Sequence, residues 1–340
     1  MDQGRAALIR ALSFTARSAA HPSGRTAPLP RLSRLSRLSR QSCQSCGQGA
    51  DVLAQRDDGV VVRHGTVVAK AHAPDTDPEE HRIRLAVAAH PELDGILLAP
   101  ISGDPHSAGD TVGGRPVTTW PYGTPVDPDT PDDAPWEDVA VLLARLHRVE
   151  VDRLPGPLPP MRGPLKAAAA IRRLPRHPAA RHVLAAWRGL PPWARAEAPG
   201  PHHSLRLCHG DLHLGQLVRH PAVHGPWLLI DADDLGLGDP AWDLARPAAW
   251  FAAGLLPADD WTRFLAAYRE AGGSAVPPAP GDVWAQLDVP ARALTAQTAA
   301  LGLARSVREG REPDEVELLM IDACARIASI PTDLDIAGTP

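Results

Sequence analysis

Short hydrophobic, β-prone runs bounded by polar turn residues occur in the first third of the chain. Three such runs begin at Asp51, Val60 and Thr66, and glycine-containing turns separate them. Short β-prone runs separated by such turns are typical of strands that are joined as hairpins. Two further β-prone runs, 95–100 and 115–123, complete a predicted antiparallel sheet of five strands.

One helix is predicted between the third and fourth strands. The segment from Asp75 to Glu80 combines acidic residues with a proline near the first helical position, which is a common helix start. Ile83 and Val87 then follow at helical spacing, and Glu80 lies on the side of this apolar pair. The first third is therefore expected to hold a sheet and a single helix.

The pattern changes to helical spacing after a stretch rich in proline and aspartate. The segment from Trp136 to His147 has apolar residues three or four positions apart, which predicts a central helix. Further helices are predicted at 166–174, 178–187, 247–253, 258–271, 281–309 and 313–328. The expected fold class is α+β, with a small antiparallel sheet and one helix followed by a larger, mainly helical lobe.

These patterns divide the chain into five parts. An amino-terminal lobe is predicted at 50–123, a hinge at 124–135 and a helical lobe at 136–330. Residues 331–340 are interpreted as a tail. Residues 1–49 are rich in arginine and serine and almost without acids, so they are interpreted as a disordered or mis-called leader.

Composition argues against several classes of binding partner. A formal net charge of -5 gives no bulk attraction to nucleic acid, and no apolar run reaches the roughly 18 to 20 residues of a membrane span. Cys43 and Cys46 form a CxxC pair without a second ligand pair, which favours free thiols over zinc. The few cysteines suit a reducing compartment. We expect a cytoplasmic monomer or homodimer without nucleic-acid or membrane partners.

Lysine is rare in this chain. Only two of the 35 basic residues, Lys70 and Lys166, are lysine. Lys70 ends the third predicted strand, where its compact ammonium charge can hold phosphate oxygens. Glu80 is its expected ion-pair partner, with Glu79 as the alternative.

Carboxylates cluster beside glycine turns in the stretch 205–245. A P-loop enzyme is excluded because no Gly-Lys-Ser/Thr sequence occurs. The segment 236–241 imitates a dinucleotide fingerprint, but the neighbouring aspartates would repel a pyrophosphate. A zinc site at His209, Asp211 and His213 would need further ligands, and none is evident.

Phosphoryl transfer accounts for the carboxylates of 205–245 more completely than a P-loop, dinucleotide or zinc site does. This reaction needs a carboxylate at the acceptor hydroxyl, oxygen ligands for magnesium and a cation on the nucleotide phosphates. The chain supplies Lys70, Asp211, Gln216 and Asp231 in that order. Gln216 and Asp231 are expected to be neighbours through a hairpin, which would place an amide oxygen and a carboxylate on one Mg²⁺ ion.

The motifs of this stretch resemble those of the aminoglycoside phosphotransferase family, which are small-molecule kinases with a protein-kinase-like fold. The resemblance lies in His209-Gly-Asp-Leu-His-Leu-Gly-Gln216, in Ile230-Asp231 and in Gly238-Asp-Pro-Ala-Trp-Asp243. It implies that Asp211 is the catalytic carboxylate and that Asp231 holds the metal. It also implies that Lys70 and Glu80 form the phosphate-binding pair.

Supporting roles follow from the same resemblance. His209 and Asp243 would support the catalytic loop, and Asp234 would face the substrate or be structural. Trp120 and Tyr122 close the sheet, where backbone groups can meet the adenine of ATP. For Trp120, a place in the core is the alternative.

The sequence departs from the family pattern at Gln216, where most members have asparagine. This form resembles the maltokinase-like branch and makes a sugar or other polyol acceptor conceivable. No glycine-rich loop is present, and only Asp57-Asp58-Gly59 occupies the corresponding turn. Arginines dominate the segment 150–204, which favours a neutral or anionic acceptor. Asp233 and Asp239 are interpreted as turn residues.

The sequence therefore predicts an ATP- and Mg²⁺-dependent phosphotransferase. Its acceptor would be a hydroxyl of a small molecule such as an aminoglycoside-like compound, a sugar or another polyol. The alternative is a catalytically weak or inactive nucleotide-binding regulatory protein, suggested by Gln216 and the short phosphate loop. Binding of magnesium-ATP without transfer to any hydroxyl compound would favour the alternative.

Overall fold

The computed structural model describes residues 2–21, 49–56, 59–101, 111–200, 205–222 and 224–330. The turn residues Asp57 and Asp58, the Cys43–Cys46 pair and the predicted tail lie outside these described residues. Unit 1 comprises 1–128, 152–159 and 215–233, and unit 2 comprises 129–151, 160–214 and 234–340. Within the described ranges, none of the helices is long and apolar enough to cross a membrane.

A five-stranded antiparallel sheet is the main element of unit 1. Its strands are β1 (Asp51–Gln55), β2 (Val60–His64), β3 (Val67–Ala71), β4 (Thr111–Val112) and β5 (Arg115–Pro121). They lie in the order β1-β2-β3-β5-β4. Burial alternates along β2 and β3, so the buried side chains share one face and Lys70 lies on the other.

The predicted strand 95–100 is not the fourth strand of this sheet, a place that β4 takes instead. A second sheet in unit 1 consists of β6 (Thr124–Pro125), β8 (Leu217–Arg219) and β9 (Trp227–Leu229). Leu97 forms a parallel bridge with Leu229, and the Leu98 N–H donates to the Leu229 carbonyl at 2.9 Å. Pairing with this second sheet buries the apolar run that the sequence assigned to the first.

The amino-terminal segment contains a helix, so the prediction of an unstructured leader is wrong for residues 2–20. Helix α1 (Asp2–Ala20) packs on the apolar face of the sheet. Leu12 and Ala16 are fully buried against β2 and β3 side chains. This helix covers a sheet face that would otherwise expose valine and alanine to water.

Helix α2 (Pro78–Ala88) begins where the sequence predicts. The Asp77 carboxylate accepts the backbone N–H groups of Glu79 at 3.0 Å and Glu80 at 2.9 Å. Such a cap satisfies donors that have no partner within the helix, and proline in the first turn loses no hydrogen bond.

Helices dominate unit 2. They are α3 (Trp136–His147), α4 (Gly163–Arg172), α5 (Ala180–Arg188), α6 (Ala241–Ala253), α7 (Ala258–Glu270), α8 (Trp284–Glu309) and α9 (Glu315–Ala328). A short antiparallel ladder joins β7 (Arg206–Cys208) to β10 (Gly236–Gly238). Side chains of α4, α5, α6, α8 and α9 form one buried cluster, and α3 packs against α7. The sheet-containing unit and the helical unit confirm the predicted α+β class.

The division into units differs from the predicted lobes at two places. Unit 1 includes 215–233, which the sequence assigned to the helical lobe, and the predicted hinge 124–135 is shared between the units. The cause is local pairing. Strand β6 pairs with β8, and β8 pairs with β9, so this hairpin joins the sheet-containing unit.

Candidate active site

The ammonium group of Lys70 binds two aspartates of unit 1. Its Nζ atom lies 2.6 Å from Asp231 Oδ1 and 2.9 Å from Asp233 Oδ2. Strand β3 holds the lysine in register, with Lys70 opposite Thr118 of β5. The two predicted residues Lys70 and Asp231 therefore meet although 161 positions separate them. Asp233, which the sequence suggested as a turn residue, is an ion-pair partner of the lysine.

The charges in this group stabilise one another. Burial alone would lower the pKa of Lys70, but the charges of Asp231 and Asp233 outweigh burial and raise that pKa above its ordinary value. The pKa of the Asp233 carboxyl lies well below its ordinary value, because the charges of Lys70 and His72 outweigh the effect of burial. Lys70 and Asp233 are therefore ionised throughout the physiological pH range.

Gln216 lies beside Asp231, as the predicted hairpin requires. The backbone carbonyl of Gln216 accepts a hydrogen bond from the backbone N–H of Ile230 at 2.9 Å. In the side chain, Gln216 Nε2 lies 3.4 Å from Asp231 Oδ2. Asp231 has a positive φ of 71°, a conformation that aspartate tolerates better than most residues. The amide and the carboxylate thus share one end of the β8–β9 hairpin.

Glu80 and Glu79 have partners other than Lys70, so the predicted Lys70–Glu80 pair is not formed. Glu80 Oε2 accepts a hydrogen bond from Arg84 at 2.9 Å, and Glu79 binds Arg82 at 2.6 Å. Each arginine lies three or four positions further along α2, where a helix places side chains next to one another. The aspartates of the 231–233 segment take the position that the sequence assigned to a glutamate.

Trp120 and Tyr122 are both engaged within unit 1. The Trp120 side chain is buried, and its Nε1–H donates to Thr118 Oγ1 at 2.9 Å. The guanidinium of Arg63 lies 3.5 Å from the centre of the Tyr122 ring. The Tyr122 carbonyl lies 3.1 Å from His220 Nδ1. A role for these two residues at the adenine remains a prediction.

A second charged group forms in unit 2 around Asp211. Lys166 Nζ lies 2.5 Å from Asp211 Oδ2 and 2.6 Å from Asp234 Oδ2. Arg246 Nη2 binds the other oxygen, Asp211 Oδ1, at 2.9 Å, and Arg246 Nε donates to the Leu212 carbonyl at 2.9 Å. Both oxygens of the predicted catalytic carboxylate are thus held by cations.

These cations determine the protonation state of Asp211. Burial would raise the pKa of this carboxyl, but the charges of Lys166 and Arg246 outweigh burial and hold the pKa well below its ordinary value. Burial similarly opposes the charge of Lys166, yet Asp234 and Asp211 raise its pKa. His213 is different, because burial lowers its pKa to about 4. It is neutral at physiological pH.

Asp243 anchors the loop that carries Asp211. Its fully buried carboxylate accepts the backbone N–H groups of His209 at 2.7 Å and Gly210 at 2.8 Å. It also lies 3.0 Å from His147 Nε2, whose ring continues to the Tyr268 hydroxyl at 2.7 Å. A buried carboxylate with three hydrogen-bond partners fixes the loop backbone, which is the contact that the predicted supporting role requires.

Gly210 allows the loop to approach the segment around Asp234. Its φ is 85°, and a Cβ atom added there would clash with the Asp234 carbonyl oxygen. A left-handed backbone and the missing Cβ both require glycine at this position. His209 is buried, and its Nδ1 lies 3.4 Å from the Asp211 backbone nitrogen.

The sequence did not predict Lys166 and Arg246 as members of the site. The rarity of lysine was the one signal that marked Lys166. Arg246 follows Asp243 on the same helix, but nothing in its neighbourhood distinguishes it from the other arginines. Both contacts depend on how α4 and α6 pack in unit 2.

Comparison with known proteins identifies relatives of this chain. A sequence model described as the phosphotransferase enzyme family (APH) matches residues 47–288. No curated protein sequence matches the chain.

Solved structures of similar fold include a kinase family protein and two phosphotransferases. A choline/ethanolamine kinase family protein from Mesorhizobium loti is 15% identical, with a TM-score of 0.51 over 84% of this chain and 89% of that one. A thermostable mutant of aminoglycoside phosphotransferase APH(4)-Ia, in ternary complex with AMP-PNP and hygromycin B, is 15% identical, with a TM-score of 0.53 and coverage of 85% and 94%. Spectinomycin phosphotransferase APH(9)-Ia, in complex with ADP and spectinomycin, is 13% identical, with a TM-score of 0.50 and coverage of 84% and 93%. These likenesses establish a kinase-like fold.

Proposed function

Because the chain belongs to the phosphotransferase enzyme family, we propose that it transfers the γ-phosphoryl group of ATP to a hydroxyl group of a small molecule, with Mg²⁺ as cofactor. The observation that carries this function is the 2.6 Å contact between Lys70 and Asp231. It joins an ammonium suited to phosphate oxygens with a carboxylate suited to a metal. The AMP-PNP complex of the APH(4)-Ia mutant supports the choice of nucleotide.

The residues around Asp231 suit magnesium. Gln216, Asp231 and Asp233 offer amide and carboxylate oxygens, which are hard ligands of the kind that Mg²⁺ prefers. We assign Gln216 and Asp231 as the residues that would hold it. Magnesium, when bound, would neutralise negative charge on the nucleotide phosphates. Lys70, whose ammonium binds two aspartates with three N–H donors, would bind phosphate oxygens with the remaining donor.

Asp211 would orient the acceptor hydroxyl. In the reaction, a bond forms between the acceptor oxygen and the γ-phosphorus, the bond to the β–γ bridging oxygen breaks, and the hydroxyl proton is released. Since Lys166 and Arg246 keep Asp211 ionised, its carboxylate can accept a hydrogen bond from the hydroxyl at any physiological pH. The same cations make it a weak base, so its contribution is mainly positioning and electrostatic.

Replacing Asp211 by asparagine tests this role. We expect kcat to fall by roughly 10² to 10³-fold, the range for loss of one preorganised electrostatic contact to the reacting group, with nucleotide affinity largely retained. Steady-state kinetics and nucleotide titration by calorimetry measure the two effects. Asp322→Asn, at an exposed position of α9, is the matched control. Unchanged turnover in Asp211→Asn would contradict the assignment.

An ATP-consumption screen separates the proposed function from a regulatory role. The purified protein would be tested with aminoglycosides, sugars, nucleosides and amino alcohols. Acceptor-dependent ADP release supports phosphoryl transfer. Tight binding of magnesium-ATP without transfer to any hydroxyl compound would instead indicate a nucleotide-binding regulatory protein.

A further inference from the structure

Lys166 joins two carboxylates of unit 2 with one ammonium group. Its Nζ atom lies 2.5 Å from Asp211 and 2.6 Å from Asp234. The Asp234 side chain is only 9% exposed, whereas that of Lys166 is 30% exposed. The lysine therefore pairs with a nearly buried carboxylate while its own side chain is partly exposed to solvent.

Backbone hydrogen bonds around the start of α4 fix the position of Lys166. The backbone N–H of Met161 donates to the Leu237 carbonyl at 2.9 Å, and that of Arg162 donates to the Asp234 carbonyl at 3.1 Å. Gly163 then starts α4, and a Cβ atom added there would lie 3.4 Å from the Gly210 carbonyl oxygen. The first turn of α4 is thus tied to the segment that carries Asp234 and to the loop that carries Asp211.

The charged group around Asp211 and Asp234 contains more cationic than anionic side chains. Arg246 binds the second oxygen of Asp211 at 2.9 Å, and Arg162 Nε lies 3.8 Å from Asp234 Oδ1. Three cationic side chains thus surround two carboxylates. An ammonium group on an acceptor would have to displace Lys166 or lie beside these like charges, both of which are unfavourable.

An acceptor without positive charge fits the same group. A lysine ammonium has three N–H donors. Among the described residues, Lys166 donates one hydrogen bond to Asp211 and one to Asp234. The remaining donor can bind a hydroxyl or carboxylate oxygen of the acceptor. The Asp211 carboxylate can then accept the hydrogen bond of the reacting hydroxyl.

We propose that Lys166 is the specificity-determining residue of the acceptor site, and that the acceptor is an uncharged or anionic polyhydroxy compound. Lys166 occupies, as part of the protein, the place that a cationic acceptor would need. This inference about the acceptor rests on the proposed phosphotransferase function. Apart from that, Lys166 acts as a positioning residue, because it holds Asp211 from one side.

The first experiment compares acceptors that differ only in charge. The wild-type protein is assayed for ATP-dependent phosphorylation of hexoses and other polyols, of their amino-substituted counterparts and of their carboxylate counterparts, together with aminoglycosides. We expect kcat/KM for uncharged or anionic compounds to exceed that for the amino compounds by roughly tenfold or more. Amino compounds that react equally well or better would overturn the inference.

The second experiment removes the ammonium group. In Lys166→Ala we expect kcat/KM for the preferred acceptor to fall by roughly tenfold or more, and millimolar ethylammonium to restore part of it. Ethylammonium should not stimulate the wild-type protein or Arg308→Met, which removes an exposed charge on α8. A folded Lys166→Ala protein with unchanged acceptor preference and no response to ethylammonium would contradict the inference.

The two experiments separate the inference from the proposed function. If no acceptor of any charge takes the phosphoryl group from ATP, the proposed function fails. If transfer occurs but favours cationic acceptors, only the inference about Lys166 fails. The wild-type comparison decides this point even if Lys166→Ala does not fold.

Discussion

At the scale of single residues, the two lysines of the chain perform related tasks. Lys70 binds two aspartates of unit 1, and Lys166 binds Asp211 and Asp234 in unit 2. An ammonium is a compact charge with donors in several directions, so it can lie between two carboxylates. The planar guanidinium of arginine instead favours paired contacts with one carboxylate. The ammonium geometry therefore suits a position between two carboxylates, as at Lys70 and Lys166.

Asp243 accepts two backbone hydrogen bonds from the loop that carries Asp211. In Asp243→Asn, one acceptor oxygen becomes an NH₂ group that faces N–H donors of the loop. We expect the free energy of unfolding to fall by about 1–3 kcal/mol, the cost of a buried polar group without its partner, and kcat to fall with it. Urea denaturation and steady-state kinetics measure these changes.

The control for this change is Asp322→Asn, which makes the same chemical substitution at an exposed position of α9. It should leave both stability and kcat as in the wild type. If Asp243→Asn behaved like this control, the hydrogen bonds to His209 and Gly210 would not be what fixes the loop.

At the scale of elements, α1 shows how a segment of misleading composition can belong to the fold. Its arginines and serines resemble a leader, but Leu12 and Ala16 lie on one side of the helix and are fully buried. They pack against the valine-rich face of β2 and β3. The sheet of unit 1 is therefore covered by a helix that precedes it in the chain.

Leu12→Ala tests whether α1 contributes to stability. Removing a fully buried leucine side chain should lower the free energy of unfolding by about 2–5 kcal/mol, because a cavity is left beside the sheet. Urea denaturation of the full chain measures this loss. Ser18→Ala, at an exposed position of α1, should have little effect. Equal stability of the two variants would show that α1 is dispensable for the fold.

At the scale of the whole molecule, buried histidines link stability to pH. His81 is buried, and its Nε2 has no hydrogen-bond partner within the described residues. Burial lowers the pKa of His81 to about 4, as it does for His213. Between pH 6.5 and 4 the unfolded chain therefore binds protons that the folded chain does not. Stability should rise with pH across this window.

We expect acidification from pH 7 to pH 5 to destabilise the protein. The contribution of His81 alone is on the order of 2 kcal/mol, from 1.36 kcal/mol per unit of pKa difference. Urea denaturation at several pH values gives the slope, which should be smaller in His81→Gln. His224→Gln, at an exposed position, should keep the wild-type slope. Identical slopes in all three proteins would rule out His81 as a source of the pH dependence.

Much of the site could be predicted because its motifs are contiguous. Gln216 and Asp231 face one another since a short hairpin joins them, and the spacing of apolar residues in α3 predicts that helix with its observed bounds. The strand at 95–100 was misplaced for a related reason. An apolar run predicts that a segment is buried, but it does not say which element covers it. Here the run pairs with β9.

The α+β class, most helices and the family motifs can be predicted from the chain alone, because they depend on neighbouring residues. The tertiary structure decided which charges meet. Lys70 pairs with Asp231 across 161 positions rather than with Glu80, and Lys166 reaches Asp211 across 45. Such pairs form only when packing brings distant segments together, since several carboxylates compete for each cation. Local patterns carry no information about that competition, so only the folded chain reveals its outcome.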